Sequence, residues 1–114
     1  MDKIYEICIP ILFNVGIIFI IVGLLMYKFP PKSINSLYGY RTASSMQSQT
    51  KWDFAQKYSA KLMSLIGLGL FIISFSKSFL PFNEEQNIFF GMGVFILSTI
   101  LLIVIVERKL KTIS

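Results

Sequence analysis

The sequence predicts an all-helical membrane protein with three transmembrane helices, and three observations support this prediction. The chain of 114 residues is 54% hydrophobic and 15% charged, with a mean hydropathy of +0.68, whereas soluble domains carry about 25% charged residues. The charges are segregated, so that residues 7–27 and 86–106 contain none. Each of these stretches is close to the ~20 residues that a helix needs to cross the hydrocarbon of a bilayer. We expect a single membrane domain, residues 1–114.

The predicted transmembrane helices are 5–27, 61–80 and 87–106. The first helix is expected to remain in the mature protein, because Asp2 and Glu6 precede it instead of a basic region and no cleavage site follows it. The second span contains a single charge, Lys77, near its end. Lys77 is interpreted as an anchor whose ammonium group reaches the membrane surface.

Lysine and arginine predict the orientation of the chain, because loops rich in these residues stay in the cytoplasm. Nine of the eleven lie in the first loop, 28–60, at the start of the second span, or in the tail, 107–114. We therefore expect a multi-pass protein with the amino terminus outside and with the first loop and the carboxyl terminus in the cytoplasm. The net charge of +5 indicates contact with anionic lipids and needs no nucleic acid to explain it.

Small residues recur at intervals of three, four and seven along the predicted helices, which is typical of close helix packing in membranes. On the second helix they belong to a stripe at heptad spacing, Ala60, Ser64, Gly67, Phe71, Ser74 and Ser78, in which Phe71 is the one large residue; on the other helices they form the pairs Gly16 and Gly23, and Gly91 and Ser98. The seam could lie within the bundle or in a homo-oligomer. A substrate pathway lined by the hydroxyl groups is the other interpretation.

The loop between the first two helices is predicted to contain a turn and an amphipathic helix at the cytoplasmic membrane surface. Pro30-Pro31 ends the first helix, Gly39 allows a tight turn, and Ser44 or Ser45 caps a helix that begins near Met46. One side of that helix would carry Trp52, Ala55, Gln56, Ser59 and Met63, and another side Asp53, Lys57 and Lys61. Tyr38, Tyr40, Trp52 and Tyr58 would form an aromatic belt.

The outer turn is too short to fold alone. Asn83 is predicted to cap the third helix, with Glu84 and Glu85 in its first turn. Together with Lys77, these acids are the candidate contacts on the outer face.

The residues needed for an enzyme or a metal site are scarce. The chain contains no histidine and one cysteine, and we find no nucleophile motif or phosphate-binding glycine loop. We therefore expect no enzyme activity and no cofactor.

A polar cluster in the first loop is the candidate site for a partner. Its members are Asn35, Tyr38, Gly39, Tyr40, Arg41, Thr42, Trp52, Asp53 and Gln56. The Arg41 guanidinium favours a bidentate partner, and three are open: Asp53 or a helix carbonyl as a structural clamp, a lipid phosphate, or a bound ligand or peptide.

The run Asn35-x-x-Tyr38-Gly39-Tyr40-Arg41-Thr42, with Trp52 thirteen residues after the glycine, resembles the loop motif of the SdpI family of small bacterial membrane proteins. Ala43 stands where that family usually has proline, and Gln56 where it more often has asparagine or histidine. The match covers residues 30–60, and the flanking helices extend it to the short, single-repeat members.

This resemblance implies immunity, that is, protection of the cell against a secreted, membrane-active toxin peptide. It also implies signalling to a cytoplasmic transcriptional repressor. The alternative from the residues themselves is a small transporter or channel subunit that acts as an oligomer.

Overall fold

The computed structural model describes residues 8–35 and 37–113, and within them it contains three long helices and no strand. Helix α1 spans Pro10–Lys28, α2 spans Gln49–Ser74, and α3 spans Glu84–Leu110, with a short 3-10 helix at Lys77–Phe79. Each long helix has the length and the apolar composition needed to cross a membrane. The predicted fold class of three transmembrane helices is therefore confirmed. The predictions for Asp2, Glu6 and the first residues of span 5–27 lie outside the described residues.

The ends of α1 and α3 follow the local signals of the sequence. Pro10 opens α1, where a missing amide donor costs nothing, and α1 ends just before Pro30-Pro31. Asn83 caps α3 as predicted, in a capping box in which its side chain accepts from the Gln86 amide while the Gln86 side chain accepts from the Asn83 amide. Glu84 and Glu85 lie in the first turn of α3, also as predicted.

The start of α2 differs from the prediction. The helix begins at Gln49, and its cap is Ser48, whose hydroxyl accepts from the Lys51 amide; the prediction of a start near Met46 with a Ser44 or Ser45 cap is wrong. No separate helix lies between α1 and α2 in the described loop. The residues assigned to an interfacial helix form the first turns of α2, with Trp52 and Gln56 buried on one side and Lys57 exposed on another.

Helices α1 and α2 pack with their backbones nearly in contact. A Cβ atom added to Gly16 would lie 2.8 Å from the Phe71 amide nitrogen, and one added to Gly67 would lie 2.7 Å from the Gly16 carbonyl oxygen. Gly23 faces Ser64 in the same way. The predicted seam of small residues therefore lies inside the bundle, between α1 and α2.

Helix α3 is attached to the other two mainly near its ends. At the end that carries the long loop 29–48, here called the loop end, Leu102, Val106 and Leu110 pack with Ala55. At the opposite end, called the turn end, Gly91 lies against Ile11. Between these attachments the helix exposes large aliphatic side chains such as Leu97 and Leu101, as expected for a helix face in contact with lipid.

The glycine seam provides a test with a matched control. Gly67→Ala should lower the free energy of unfolding by about 1–3 kcal/mol, because the new methyl group meets backbone atoms of α1 that cannot move aside. Gly69→Ala, two residues away in the same helix, adds its methyl group where no atom lies within 4 Å, so it should be neutral or slightly stabilising. Thermal unfolding in mild detergent measures both, and equal effects would contradict the seam.

Candidate functional site

The first attachment of the loop to the bundle joins Trp52 to the residues that end α1. The Trp52 side chain is 0% exposed, and its indole N–H donates to the Pro31 carbonyl oxygen at 2.8 Å. Pro31 is itself buried. Because Trp52 is enclosed by protein, its predicted place in a lipid-facing aromatic belt is wrong, and it fixes the loop on α2 instead.

The second attachment is a pair of hydrogen bonds between the Gln56 side chain and the backbone of Tyr40. The Tyr40 amide donates to Gln56 Oε1 at 2.7 Å, and Gln56 Nε2 donates to the Tyr40 carbonyl oxygen at 2.8 Å. The Gln56 side chain is fully buried, so the pairing satisfies groups that cannot reach water. Glutamine suits this position because its amide group supplies one acceptor and one donor side by side.

Gly39 is required by both its conformation and its surroundings. Its φ angle is +107°, a region that residues with a side chain rarely adopt. A Cβ atom at this position would collide with Gln56 Oε1 and lie 2.7 Å from Pro31 Cγ. The predicted turn at Gly39 is confirmed, and the glycine also leaves room for the Gln56 side chain.

Asn35 and Arg41 stabilise the turn from within the loop. Asn35 Oδ1 accepts from the amides of Leu37 and Tyr38 at 2.9 and 2.7 Å, which is an Asx-type turn. Arg41 is exposed, and its Nε donates to the Asn35 carbonyl oxygen at 3.0 Å. Its structural contact is therefore this loop carbonyl, not Asp53 or a helix end as predicted. A lipid phosphate or a bound ligand on the rest of the guanidinium stays a prediction.

A third attachment reaches α3 through Glu107, a residue that the sequence analysis missed. Glu107 Oε2 accepts from the Tyr40 hydroxyl at 2.9 Å and from the Thr42 hydroxyl at 3.0 Å. Burial, the hydrogen bond to Glu107 and the negative charge of Glu107 all raise the pKa of the Tyr40 phenol. An isolated acid near the end of an apolar helix was the available signal, since such a group needs donors from elsewhere.

Thr42 and Ser45 form a compact turn beneath this attachment. The Ser45 hydroxyl accepts from the Thr42 amide at 2.9 Å, and the Thr42 hydroxyl accepts from the Ser45 amide at 3.2 Å. Ser45 is 0% exposed. The Thr42 hydroxyl thus accepts from the Ser45 amide and donates its own hydrogen to Glu107.

The other predicted loop residues lie at the edge of this arrangement. Asp53 is exposed and accepts from Gln49 Nε2 at 2.8 Å, and in the described part of the chain it makes no ion pair with Lys57. Gln49 Nε2 also donates to the Lys32 carbonyl oxygen at 2.6 Å. The Tyr38 hydroxyl donates to the Phe29 carbonyl oxygen at 2.9 Å.

At the turn end, a crevice of about 420 Å³ lies between the start of α1, the 3-10 helix and the start of α3. Lys77 and Glu84, two of the three predicted outer-face candidates, line it, whereas Glu85 is exposed and outside it. Asn87, which sequence reasoning missed, also lines the crevice. Its side chain is 4% exposed, and its buried Oδ1 has no hydrogen-bond partner among the residues that the structure describes.

The Gln56 pairing can be tested by a change that keeps the size of the side chain. Gln56→Glu removes the donor to the Tyr40 carbonyl and places a carboxylate in a buried site, so the free energy of unfolding should fall by about 1–3 kcal/mol. Trp52 is the sole tryptophan and lies beside the loop, so its fluorescence reports the loss. Gln47→Glu, at an exposed position that contacts Lys51, is the control and should change stability by under about 0.5 kcal/mol.

The raised pKa of Tyr40 predicts a pH dependence with a definite sign. A phenol whose pKa is higher in the folded state stabilises the fold fully below its ordinary pKa of about 10, and this contribution declines as the pH rises beyond that value. Tyr40→Phe should therefore be less stable than the native protein at pH 7, by about 1.5–3 kcal/mol, and the difference should narrow above pH 10. Denaturant unfolding at pH 7 and pH 11 measures it, with Tyr38→Phe as control; a constant difference would contradict the Tyr40–Glu107 contact.

Comparison with known proteins identifies the family of this chain. Residues 32–106 match the family described as the SdpI/YfhL protein family. A relative from Bacillus subtilis (strain 168), described as the uncharacterized protein YfhL, is 41% identical over 103 residues, which cover 84% of this chain and 82% of the relative. No solved structure matches. The matched range contains the run from Asn35 to Thr42, Trp52 and the Gln56–Tyr40 pairing. The chain is a multi-pass membrane protein that belongs to the SdpI/YfhL family.

Proposed function

We propose that this protein protects a bacterium against a secreted, membrane-active toxin peptide, as the SdpI-type immunity proteins that it resembles do. Family membership supports this proposal. In the orientation that the basic residues favour, the loop end lies in the cytoplasm and the turn end faces outward. The crevice at the turn end would then be open to a peptide that arrives from outside the cell.

The observation that carries the proposal is the Asn87 oxygen in that crevice, which has no partner among residues 8–35 and 37–113. A buried acceptor without a donor costs about 1–3 kcal/mol, and this one lies among the apolar side chains of Ile9, Pro10 and Ile88. A ligand that brings an N–H group flanked by aliphatic groups would satisfy Asn87 and fill the crevice. Peptide backbone next to an apolar side chain has this chemistry.

A hydrogen bond to Asn87 would stabilise a peptide that lies in the membrane more than it stabilises a peptide in water. A free backbone N–H inside a membrane lacks water and costs several kcal/mol if it stays unpaired. Lys77 and Glu84 at the crevice add charges of both signs, which suit the polar end of an amphipathic peptide. Capture at the turn end would keep the toxin from assembling elsewhere in the bilayer.

Signalling to a cytoplasmic repressor is a further part of this proposal, and α3 is the element that would carry it. The start of α3 supplies Glu84, Asn87 and Ile88 to the crevice. Glu107, about 30 Å further along the same helix, holds Tyr40 and Thr42 of the loop. A ligand that shifts α3 at the turn end would therefore move the group that fixes the loop.

The transporter or channel alternative has less support. It relied on a small-residue seam between subunits, but Gly16, Gly23 and Gly67 are used in the contact of α1 with α2. The Ser64 and Ser98 hydroxyls donate to carbonyls of their own helices, so their hydrogens are already used and are not offered to a substrate.

The immunity proposal predicts that a substitution at Asn87 lowers protection against the toxin without lowering the stability of the protein. Asn87→Leu replaces an unsatisfied buried amide by an apolar group, so the protein should be as stable as the native form or more stable. The concentration of a secreted, membrane-active toxin peptide of the SdpI-related type that halves the survival of a sensitive bacterium should nevertheless fall roughly tenfold. The reason is that a lost hydrogen bond of ~1.4 kcal/mol weakens binding by a factor of ten. Asn14→Leu, at an exposed amide of α1, is the matched control and should protect fully.

Protein levels in the membrane must be equal in all strains. Full protection by Asn87→Leu would contradict the crevice as the toxin contact. Failure of the native protein to protect would contradict the immunity function itself. Arg41→Ala tests the loop separately: lower protection with unchanged membrane insertion would place the loop in the mechanism, and full protection would remove it.

A further inference from the structure

A groove runs along the outside of α1 and α2 at the loop end, and it consists of two hollows that share Tyr27 and Lys61. The hollow nearer the loop, of about 250 Å³, is completed by Phe54, Lys57 and Tyr58. The other hollow, of about 300 Å³, lies further along the two helices and is completed by Leu24, Ser64 and Leu65. We propose that this groove binds one anionic phospholipid, with the phosphate on Lys57 and Lys61 and an acyl chain in the second hollow.

The charge in the first hollow favours an anion. Lys57 and Lys61 are both exposed and lie one helical turn apart, where two like charges destabilise a helix unless a counter-charge lies between them. No acidic residue is among the described residues that line either hollow. Asp53, the nearest acid along α2, accepts a hydrogen bond from Gln49. It lines a different depression, beside Pro30 and Pro31. Lys57 also borders that depression, whereas Lys61 does not reach it.

Aromatic residues form the walls of the first hollow, and one of them contacts the Lys61 ammonium. The Lys61 ammonium lies 5.7 Å from the centroid of the Tyr27 ring, within the range of a cation–π contact. Phe54 and Tyr58 stack at 5.1 Å and form the other wall of the first hollow. Tyrosines beside lysines are typical of the depth at which lipid head groups meet the hydrocarbon.

The second hollow has the chemistry of an acyl chain site. Leu24 and Leu65 are 57% and 65% exposed, so they would face lipid in a bilayer. Ser64, the polar residue of this wall, has its hydroxyl bonded to the Ala60 carbonyl of its own helix at 3.1 Å. The groove therefore changes from basic to apolar along its length, across Tyr27 and Lys61, as a phospholipid changes from head group to chain.

The change from a basic to an apolar hollow along the groove favours a phospholipid over a free anion as the ligand. Free phosphate would use the first hollow alone and would leave Leu24 and Leu65 without a role. A phospholipid uses both, and it would join the end of α1 to the start of α2 beside the loop. The inference does not depend on toxin immunity, because it concerns the opposite end of the molecule and another ligand.

The test measures lipid binding to the purified full-length protein in mild detergent by native mass spectrometry. Phosphatidylglycerol and phosphatidylcholine with the same acyl chains are the two probes. We expect phosphatidylglycerol to bind preferentially. The double variant Lys57→Gln/Lys61→Gln should lower its affinity by roughly thirty-fold, since each lysine near an anionic lipid surface contributes a factor of about five. Lys109→Gln/Lys111→Gln removes the same charge from the tail and should leave the affinity within about twofold.

Two further arms make the outcome decisive. Glycerol phosphate, which has the head group without the chains, should not raise the melting temperature, whereas phosphatidylglycerol should raise it in the native protein and not in Lys57→Gln/Lys61→Gln. Equal binding of both lipids, equal loss in the two double variants, or equal stabilisation by glycerol phosphate would each overturn the proposed lipid site. Unfolding without added lipid checks that every variant is folded.

Discussion

The two hydrogen bonds between the buried Gln56 side chain and the Tyr40 backbone are the interaction on which the loop end depends. They fix Tyr40 on α2, and Gly39 makes the approach possible because any Cβ atom there would collide with the same side chain. With its backbone fixed, Tyr40 aims its hydroxyl at Glu107 of α3. A single buried amide thus connects the loop to both α2 and α3, and its removal leaves polar groups that water cannot reach.

The two ends of the bundle differ in how well their polar groups are satisfied. At the loop end Gln56, Ser45 and Glu107 all have partners, which is typical of a rigid structural network. At the turn end the Asn87 oxygen lies beside a crevice and finds no partner in the described part of the chain. Helix α3 joins the two ends and is otherwise largely exposed, whereas α1 and α2 pack closely along their glycine seam. In the proposed function, binding at the turn end would reach the loop end through the movement of this one helix.

The sequence predicts the three helices, the Asn83 cap, the Gly39 turn and the packing of small residues, because each depends on local chemistry or on periodicity. Prediction from the sequence fails where contacts between residues far apart in the chain determine the structure. Glu107 lies 67 positions from Tyr40, and no local pattern joins them. Arg41 bonds to the Asn35 carbonyl instead of a carboxylate, since a turn offers backbone acceptors that sequence spacing does not reveal. The position of Trp52 on α2 places it on the same buried face as Ala55, Gln56 and Ser59, but its hydrogen bond to the Pro31 carbonyl is a long-range contact that sequence spacing does not reveal.

The central claim is that residues 38–45 are folded onto the bundle and are not a mobile connection between helices. Hydrogen exchange of the native protein in lipid nanodiscs, followed by mass spectrometry of peptides from this loop, tests it most directly. The account predicts that the Tyr40 amide, bonded to a fully buried Gln56, exchanges as slowly as the first turns of α2. Exchange of residues 38–45 at the rate of an unfolded peptide would contradict the account.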